Sequence, residues 1–461
     1  MKKTLLLLCL MPFMAIAQTT EYFTGCVLDE EEYSRIPMKA TQLTRSYKTL
    51  PKRASLLQYC PTAGNQGQYG TCTSWAIAYA ARTIMEAERN GCTDPVTNAR
   101  EAFSPTFVYA KIKDPSAYDC KKGTYIPRGL QLLKDQGVPK KSVFYEDCAS
   151  YIPAEAYSNA ANYKIQDYFT LFSYGADAQK KIESTKMALS EGRPVIIGMR
   201  FFKSFYNAKD LWNGNTSQED GAHAMCVVGY DDEKYGGAFH ILNSWGPYWG
   251  NNGFTWVTYS DYGKYVREGY EMYLGNKKTT PTASTLSGSM EIQLATGGKM
   301  SVSLSKSGNI RTYKVPKSYP SGTRYRILLS NREPAYVYVL GSDKKGKPEL
   351  LFPPTPNISP ALVYASNNIA IPDERWYIET DNTVGTDYLC VLYSQTELPI
   401  ENIIAQISHM QGDFPQRVTS ALGSNNCVAD SDISYGSSAI SFSTSSNKRV
   451  VPIIVEIPHS K

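Results

Sequence analysis

Hydrophobic and polar positions change rhythm four times along the chain. Leu5 to Met14 is an apolar run behind Lys2-Lys3, and Ala15-Ile16-Ala17 follows with small residues flanking one position. This order predicts a secretory signal over residues 1–17, with a mature chain from Gln18. The run is too short to cross a bilayer stably. Cys9 lies inside it behind Leu8, which argues against a lipoprotein anchor. Residues 18–50 carry no periodicity and read as an N-terminal arm or short pro-segment, with a solvated acidic cluster at 29–32.

From 51 to 275 helical and strand periods mix. The spacing predicts helices over 72–89, ended by Asn90-Gly91, over 129–136, closed by Gly137, and over 178–191. Gly192-Arg193-Pro194 then turns into the strand "VIIGMRF", and "HAMCVVGY" and "FHILNSW" are further strands. Residues 276–289 are rich in Thr, Ser, Pro and Gly and mark a linker. Beyond it, over 290–461, "YRILLS", "AYVYVLGS", "RWYIET", "DYLCVLYS" and "VVPIIVEI" predict an antiparallel all-β, sandwich-like domain. One helix is expected there, where Ile400, Ile403, Ile404 and Ile407 share a face.

Composition narrows the function classes. A chain of 461 residues holds two or three domains, and a net charge of +5 without basic blocks excludes an evident nucleic-acid surface. No later segment reads as membrane-spanning. There is no CxxC, no HExxH and no His/Cys ligand spacing, so no metal is expected; no phosphate-cradling glycine loop is present and no cofactor is expected. Nine of the ten cysteines lie beyond the signal. One nucleophile plus four disulfides would account for them, with Cys390 and Cys427 as one pair and Cys226 buried.

Cys72 falls at a predicted helix start, where the helix dipole and unpaired N–H groups favour a thiolate. Gly70 before it permits close backbone approach. A nucleophilic thiol needs a base, and the chain has four histidines, at 223, 240, 409 and 459. His409 and His459 lie beyond the linker. His240 and Asn243 are an odd number of positions apart in one strand and face opposite ways. His223 is therefore the base, Asn243 its orienting partner, and Gln66 an oxyanion donor.

"NQGQYGTC", "GAHAMCVVGYDD" and "FHILNSWGPYWGNNGFTWV" resemble, in order, the Cys, His and Asn segments of papain-like cysteine peptidases. "CKKGTYIPRGLQLLKDQGV" is similar to that family's substrate strand and the helix after it. The resemblance covers roughly 51–275 and implies an α+β fold of two lobes with the site between them. It implies peptide-bond hydrolysis through an acyl-enzyme, with protein or peptide as the partner. Trp245 would shield the Asn243–His223 contact, Trp249 would pack near the primed subsites, and Gly123 would be the glycine that binds substrate backbone. Three positions depart from the pattern. Tyr69 replaces a cysteine, so Cys120 needs another partner, with Cys148 the nearest choice. Thr73 replaces a tryptophan, the bulky ring appearing instead at Trp75. Ala222 stands where some members carry Asp or Asn. No long helical propeptide precedes Cys72, so latency of that kind has no support in the sequence. The β domain resembles an uncharacterised bacterial domain found beside peptidases.

The expected function is a secreted cysteine endopeptidase, periplasmic or extracellular, whose β domain binds a partner protein or an envelope component. Two other readings stand beside it. One is a transferase or amidase that uses the same triad on a non-protein amide. The other is an adhesion protein with a vestigial triad.

Overall fold

The computed structural model describes residues 22–40, 50–212, 214–275, 285–343, 346–363, 369–373 and 376–461. The signal segment lies outside the described residues, as does most of the linker.

The Cys72 helix runs as an α-turn Cys72–Ser74, a π-wound stretch Trp75–Arg82 and an α-segment Thr83–Asn90. Every residue of the π-wound stretch is buried, and Ala76, Ala78, Ala80 and Ala81 let other elements approach closely. Gly91, left-handed at φ 68°, ends the helix as its sequence predicts. Ile126–Asp135 starts three residues earlier than expected, with Pro127 in its first turn. Ala178–Ser190 begins where the Asp177 side chain accepts the Lys180 N–H. The sequence reading passes over Pro95–Arg100 and Pro105–Ile112; each starts from an Asp or Ser cap followed by proline.

These helices pack on a seven-stranded antiparallel sheet. Its order is Asp167–Thr170, Val266–Tyr273, Val195–Phe202, Glu219–Asp231, Ala238–Leu242, Phe254–Thr258, with Arg53–Ser55 on the long fourth strand. One continuous apolar core joins sheet and helices, so the two lobes share an interior.

The C-terminal domain is a sandwich of an eight-stranded and a six-stranded sheet. Val337 and Val339 face the inter-sheet core, while Tyr338 and Leu340, alternating with them, face a second apolar layer. Two helices cover that outer face: the expected one, Ile400–His409, and an unpredicted one, Phe414–Leu422. The pairing is not wholly antiparallel, because Ile310–Lys314 runs parallel to the last strand.

One disulfide, Cys120–Cys148, takes up the thiol orphaned by Tyr69. The four-bridge expectation fails, since Cys26, Cys60, Cys72, Cys92, Cys226, Cys390 and Cys427 are free. Six of these seven are buried; apart from Cys72 they serve as small apolar groups, Cys390 and Cys427 within one cluster.

Residues 22–40 of the arm are bound to both domains. Asp29 caps a short helix, Glu30–Ser34, whose Tyr33 is buried and donates to the Phe172 carbonyl at 2.5 Å. The acidic cluster is therefore partly engaged, with Glu32 paired to Arg128 at 2.8 Å. Further on, the Lys39 N–H donates to Thr170 in the peptidase sheet, and Met38 exchanges backbone bonds with Asn357 and Ser359 of the β domain. The buried Lys39 ammonium meets Glu191 at 2.7 Å and Glu271 at 3.2 Å. Burial alone would lower its pKa, but the two carboxylates outweigh it and the net shift is upward.

Candidate active site

Cys72 opens its helix, so its own N–H has no acceptor one turn back. Gly70 is required just before it: a Cβ there would lie 2.4 Å from the Lys121 carbonyl oxygen. His223 sits in the long strand opposite Met199. The next strand pairs Leu242 with Cys226, which delivers Asn243 to the histidine. His223 Nε2 lies 2.7 Å from Asn243 Oδ1. With Nε2 committed, Nδ1 is the nitrogen left for the thiol.

Trp245 stacks on the His223 ring at 4.7 Å and 24°, shutting water from the Asn243 contact. Trp249 is buried, edge-on to Trp245 at 5.3 Å and stacked on Phe205, and so holds Trp245 in place. Gln66 is fixed from both ends: its Oε1 accepts the Ser244 hydroxyl at 2.7 Å and its Nε2 donates to the Tyr69 carbonyl at 2.7 Å. An amide nitrogen carries two hydrogens, so one remains for an oxyanion beside the Cys72 N–H. His240 stacks on Trp256 at 4.4 Å, apart from this group.

The arm crosses the site. The backbones of Gly25, Ala224 and Thr73 adjoin the Cys72 thiol and favour its charged form. Thr124 N–H donates to the Gly25 carbonyl at 2.8 Å and Val27 N–H to the Thr124 carbonyl at 3.0 Å. The Cys26 N–H reaches the Ala222 carbonyl at 3.4 Å, and Trp245 Nε1 donates to the Phe23 carbonyl at 2.9 Å while Tyr22 stacks on its ring. Thr124, not Gly123, thus pairs with the bound backbone. Gly123 matters for another reason, because a Cβ on it would lie 2.4 Å from the Gly25 oxygen. Likewise a Cβ on Gly25 would lie 2.2 Å from the Gly70 oxygen. Three glycines from three segments allow this crossing. Thr73 is small and buried, its hydroxyl on the Thr124 carbonyl at 3.1 Å. Trp75 packs on Tyr79 and does not replace the missing ring at position 73.

Burial dominates the electrostatics of the covered site. It pushes the Cys72 thiol up to about 11, against the pull of the surrounding N–H groups. It pulls His223 down to about 4, although Asn243 favours the charged ring. The pair is neutral while the arm is in place.

The sequence reading names Ala222 and an arm over 18–50 but not their pairing across the site, and it passes over Thr124. Main-chain groups carry their contacts, and these leave no side-chain signature; Gly25 is a lone glycine in a patternless stretch. Glu268 was missed too; its Oε1 accepts the arm's Asp29 N–H at 3.0 Å.

Residues 57–273 match the family described as papain family cysteine protease, and residues 318–397 match a domain of unknown function (DUF4384). An uncharacterized peptidase C1-like protein of Acanthamoeba polyphaga mimivirus is 29% identical over 49% of this chain and 69% of its own length. Peptidase 1 of Dermatophagoides pteronyssinus is 23% identical over 41% of this chain and 54% of its own. Mouse cathepsin K is 24% identical over 43% and 56%. The chain thus spans little more than half the length of the mite and mouse relatives. Among solved structures, the cysteine protease xylellain from Xylella fastidiosa aligns with a TM-score of 0.45 and 21% identity, over 56% of this chain and 97% of that one.

Proposed function

We propose, from the match of residues 57–273 to the papain family cysteine proteases, that this chain is an exported cysteine endopeptidase acting through Cys72, His223, Asn243 and Gln66. One observation carries the residue roles: the 2.7 Å His223–Asn243 contact, covered by Trp245 and tied through Ser244 to Gln66. In this reading His223 Nδ1 takes the thiol proton, and the Cys72 sulfur attacks the scissile carbonyl carbon. The oxyanion is held by the Cys72 N–H and the free Gln66 N–H. The imidazolium then protonates the leaving amine, and water, deprotonated by His223, releases the acyl group.

The substrate is a protein or peptide. Among the described residues no helix is long and apolar enough to cross a membrane, and the Cys120–Cys148 disulfide suits an oxidising compartment. The arm fills the cleft, so the form described is latent and the arm must leave before a peptide enters.

The test is digestion of an unfolded protein under reducing conditions, with and without an epoxide-type thiol inhibitor. Cys72→Ala should abolish cleavage. Cleavage that persists in Cys72→Ala would end this reading.

A further inference from the structure

The C-terminal domain contains a cavity of about 410 Å³, and none of the residues lining it falls within residues 318–397. It lies where the two sheets of the sandwich part. Ile310 and Pro452 belong to the eight-stranded sheet, and Tyr435 to the edge strand of the six-stranded one. The end of the helix Phe414–Leu422 forms a third side, through Ser420 and Gly423. The segment from Cys427 to Asp430 forms a fourth. Side chains from facing sheets ordinarily fill such a space. Here the wall positions Ser420, Gly423 and Ala429 are small and leave it open.

Most polar groups of the wall already have partners. Gly423 donates its N–H to the Thr419 and Ser420 carbonyls, each at 3.2 Å. The Thr419 hydroxyl turns back to the Pro415 and Gln416 carbonyls, each at 3.1 Å. Asp430 accepts the Arg311 N–H at 3.0 Å and the Tyr435 hydroxyl at 3.1 Å. The Arg311 guanidinium, 3.5 Å from Asp430, balances its charge. Lys448 is the one cation of the lining, and no ion pair engages it among the described residues. Its charge reaches the Cys427 thiol, which is 8% exposed, and lowers that thiol's pKa against the effect of burial. The cavity thus has apolar walls and one uncompensated positive charge.

We propose that this cavity binds a small apolar molecule with one acidic group, its body against Ile310, Val428, Ile433 and Pro452 and its anion at Lys448. The volume falls within the range of small-molecule pockets, which are apolar with a few placed polar groups. Burial of the body supplies affinity, and a charge-assisted hydrogen bond to Lys448 sets the orientation. Asp430 does not oppose the anion, because Arg311 balances it. The occupant is a free acid rather than the end of a polypeptide. A polypeptide would bring backbone N–H and C=O groups that need partners, and the helix end and Asp430 have theirs in place.

The experiment titrates the full chain by calorimetry at neutral pH with three probes of one chain length: octanoate, octanol and octylammonium. Octanoate should bind at a single site, tighter than octanol by about threefold to tenfold, the worth of one half-exposed charge contact. Octylammonium should bind weakest. Lys448→Gln should bring octanoate down to the level of octanol and leave octanol unchanged. Ala429→Trp, which fills the cavity, should abolish both. No binding of octanoate, octylammonium binding as tightly as octanoate, or an octanoate affinity untouched by Lys448→Gln would overturn the assignment. An acetylated peptide ending in leucine that binds where octanoate does not would overturn the choice of a free acid.

Discussion

Asn243 holds His223 through one contact of 2.7 Å, and its loss frees the ring to turn. Asn243→Ala should lower kcat by roughly tenfold or more with KM nearly unchanged, because orientation of the base is needed only during proton transfer. Steady-state kinetics on a peptide substrate check this, and a change confined to KM would contradict it. The thiol itself gives a pH prediction. With the arm in place, burial raises Cys72 to about 11, and a raised thiol pKa means that thiolate grows with pH up to that value. Iodoacetamide labelling of Cys72 in the full chain should therefore climb through the alkaline range, with no plateau in mild acid. Labelling that is already maximal in mild acid would show an ion pair under the arm. The proposed group of Cys72, His223, Asn243 and Gln66 was legible in the sequence because each would act through its side chain, in an order and spacing that few structural needs impose. Thr124 was not, since its part is played by its own N–H and C=O, which every residue except proline possesses.

At the scale of elements the arm decides most. Gly25 passes so close to Gly70 that no Cβ fits between them, and Gly25→Val should expel the arm from the cleft. Peptide hydrolysis should rise several-fold, with faster limited proteolysis within residues 22–36. Unchanged hydrolysis would mean that the crossing is not what limits access. Glu268, in the strand Val266–Tyr273, gives the arm's contact a pH dependence. Its pKa is raised in the folded state to about 7 by burial, so its favourable share of stability is whole below the ordinary carboxylate value near 4.5. That share is lost as pH rises through about 7. Wild-type Tm should fall across that window, and Glu268→Gln should flatten the fall; parallel curves would refute the assignment. The long helices and strands were readable from their periodicity and caps. The arm was not, because its short helix buries only Tyr33 and the rest binds by backbone.

Across the whole molecule, the arm also stitches two domains together. Met38 bonds to the β domain and Lys39 to the peptidase sheet, and Phe169 and Tyr273 of one domain share a cluster with Ala361 and Val363 of the other. Lys39→Met should cost about 3 kcal/mol, since it leaves Glu191 and Glu271 buried beside each other without this cation. Chemical unfolding measures the loss, and a change near zero would show that the interface rests on its apolar contacts alone. By itself the sequence determined the two-domain plan, the main helices and strands, and which residues make up the proposed catalytic group. Each of these follows from local periodicity, capping, or a side-chain type that is scarce elsewhere in the chain. Only the tertiary structure decided that the arm fills the cleft, that six thiols stay buried and unpaired, that Thr124 pairs with the arm's backbone, and that a buried carboxylate accepts the arm's Asp29 N–H. Those outcomes depend on backbone approach and burial between segments far apart in sequence, and nothing in a local pattern encodes a distance.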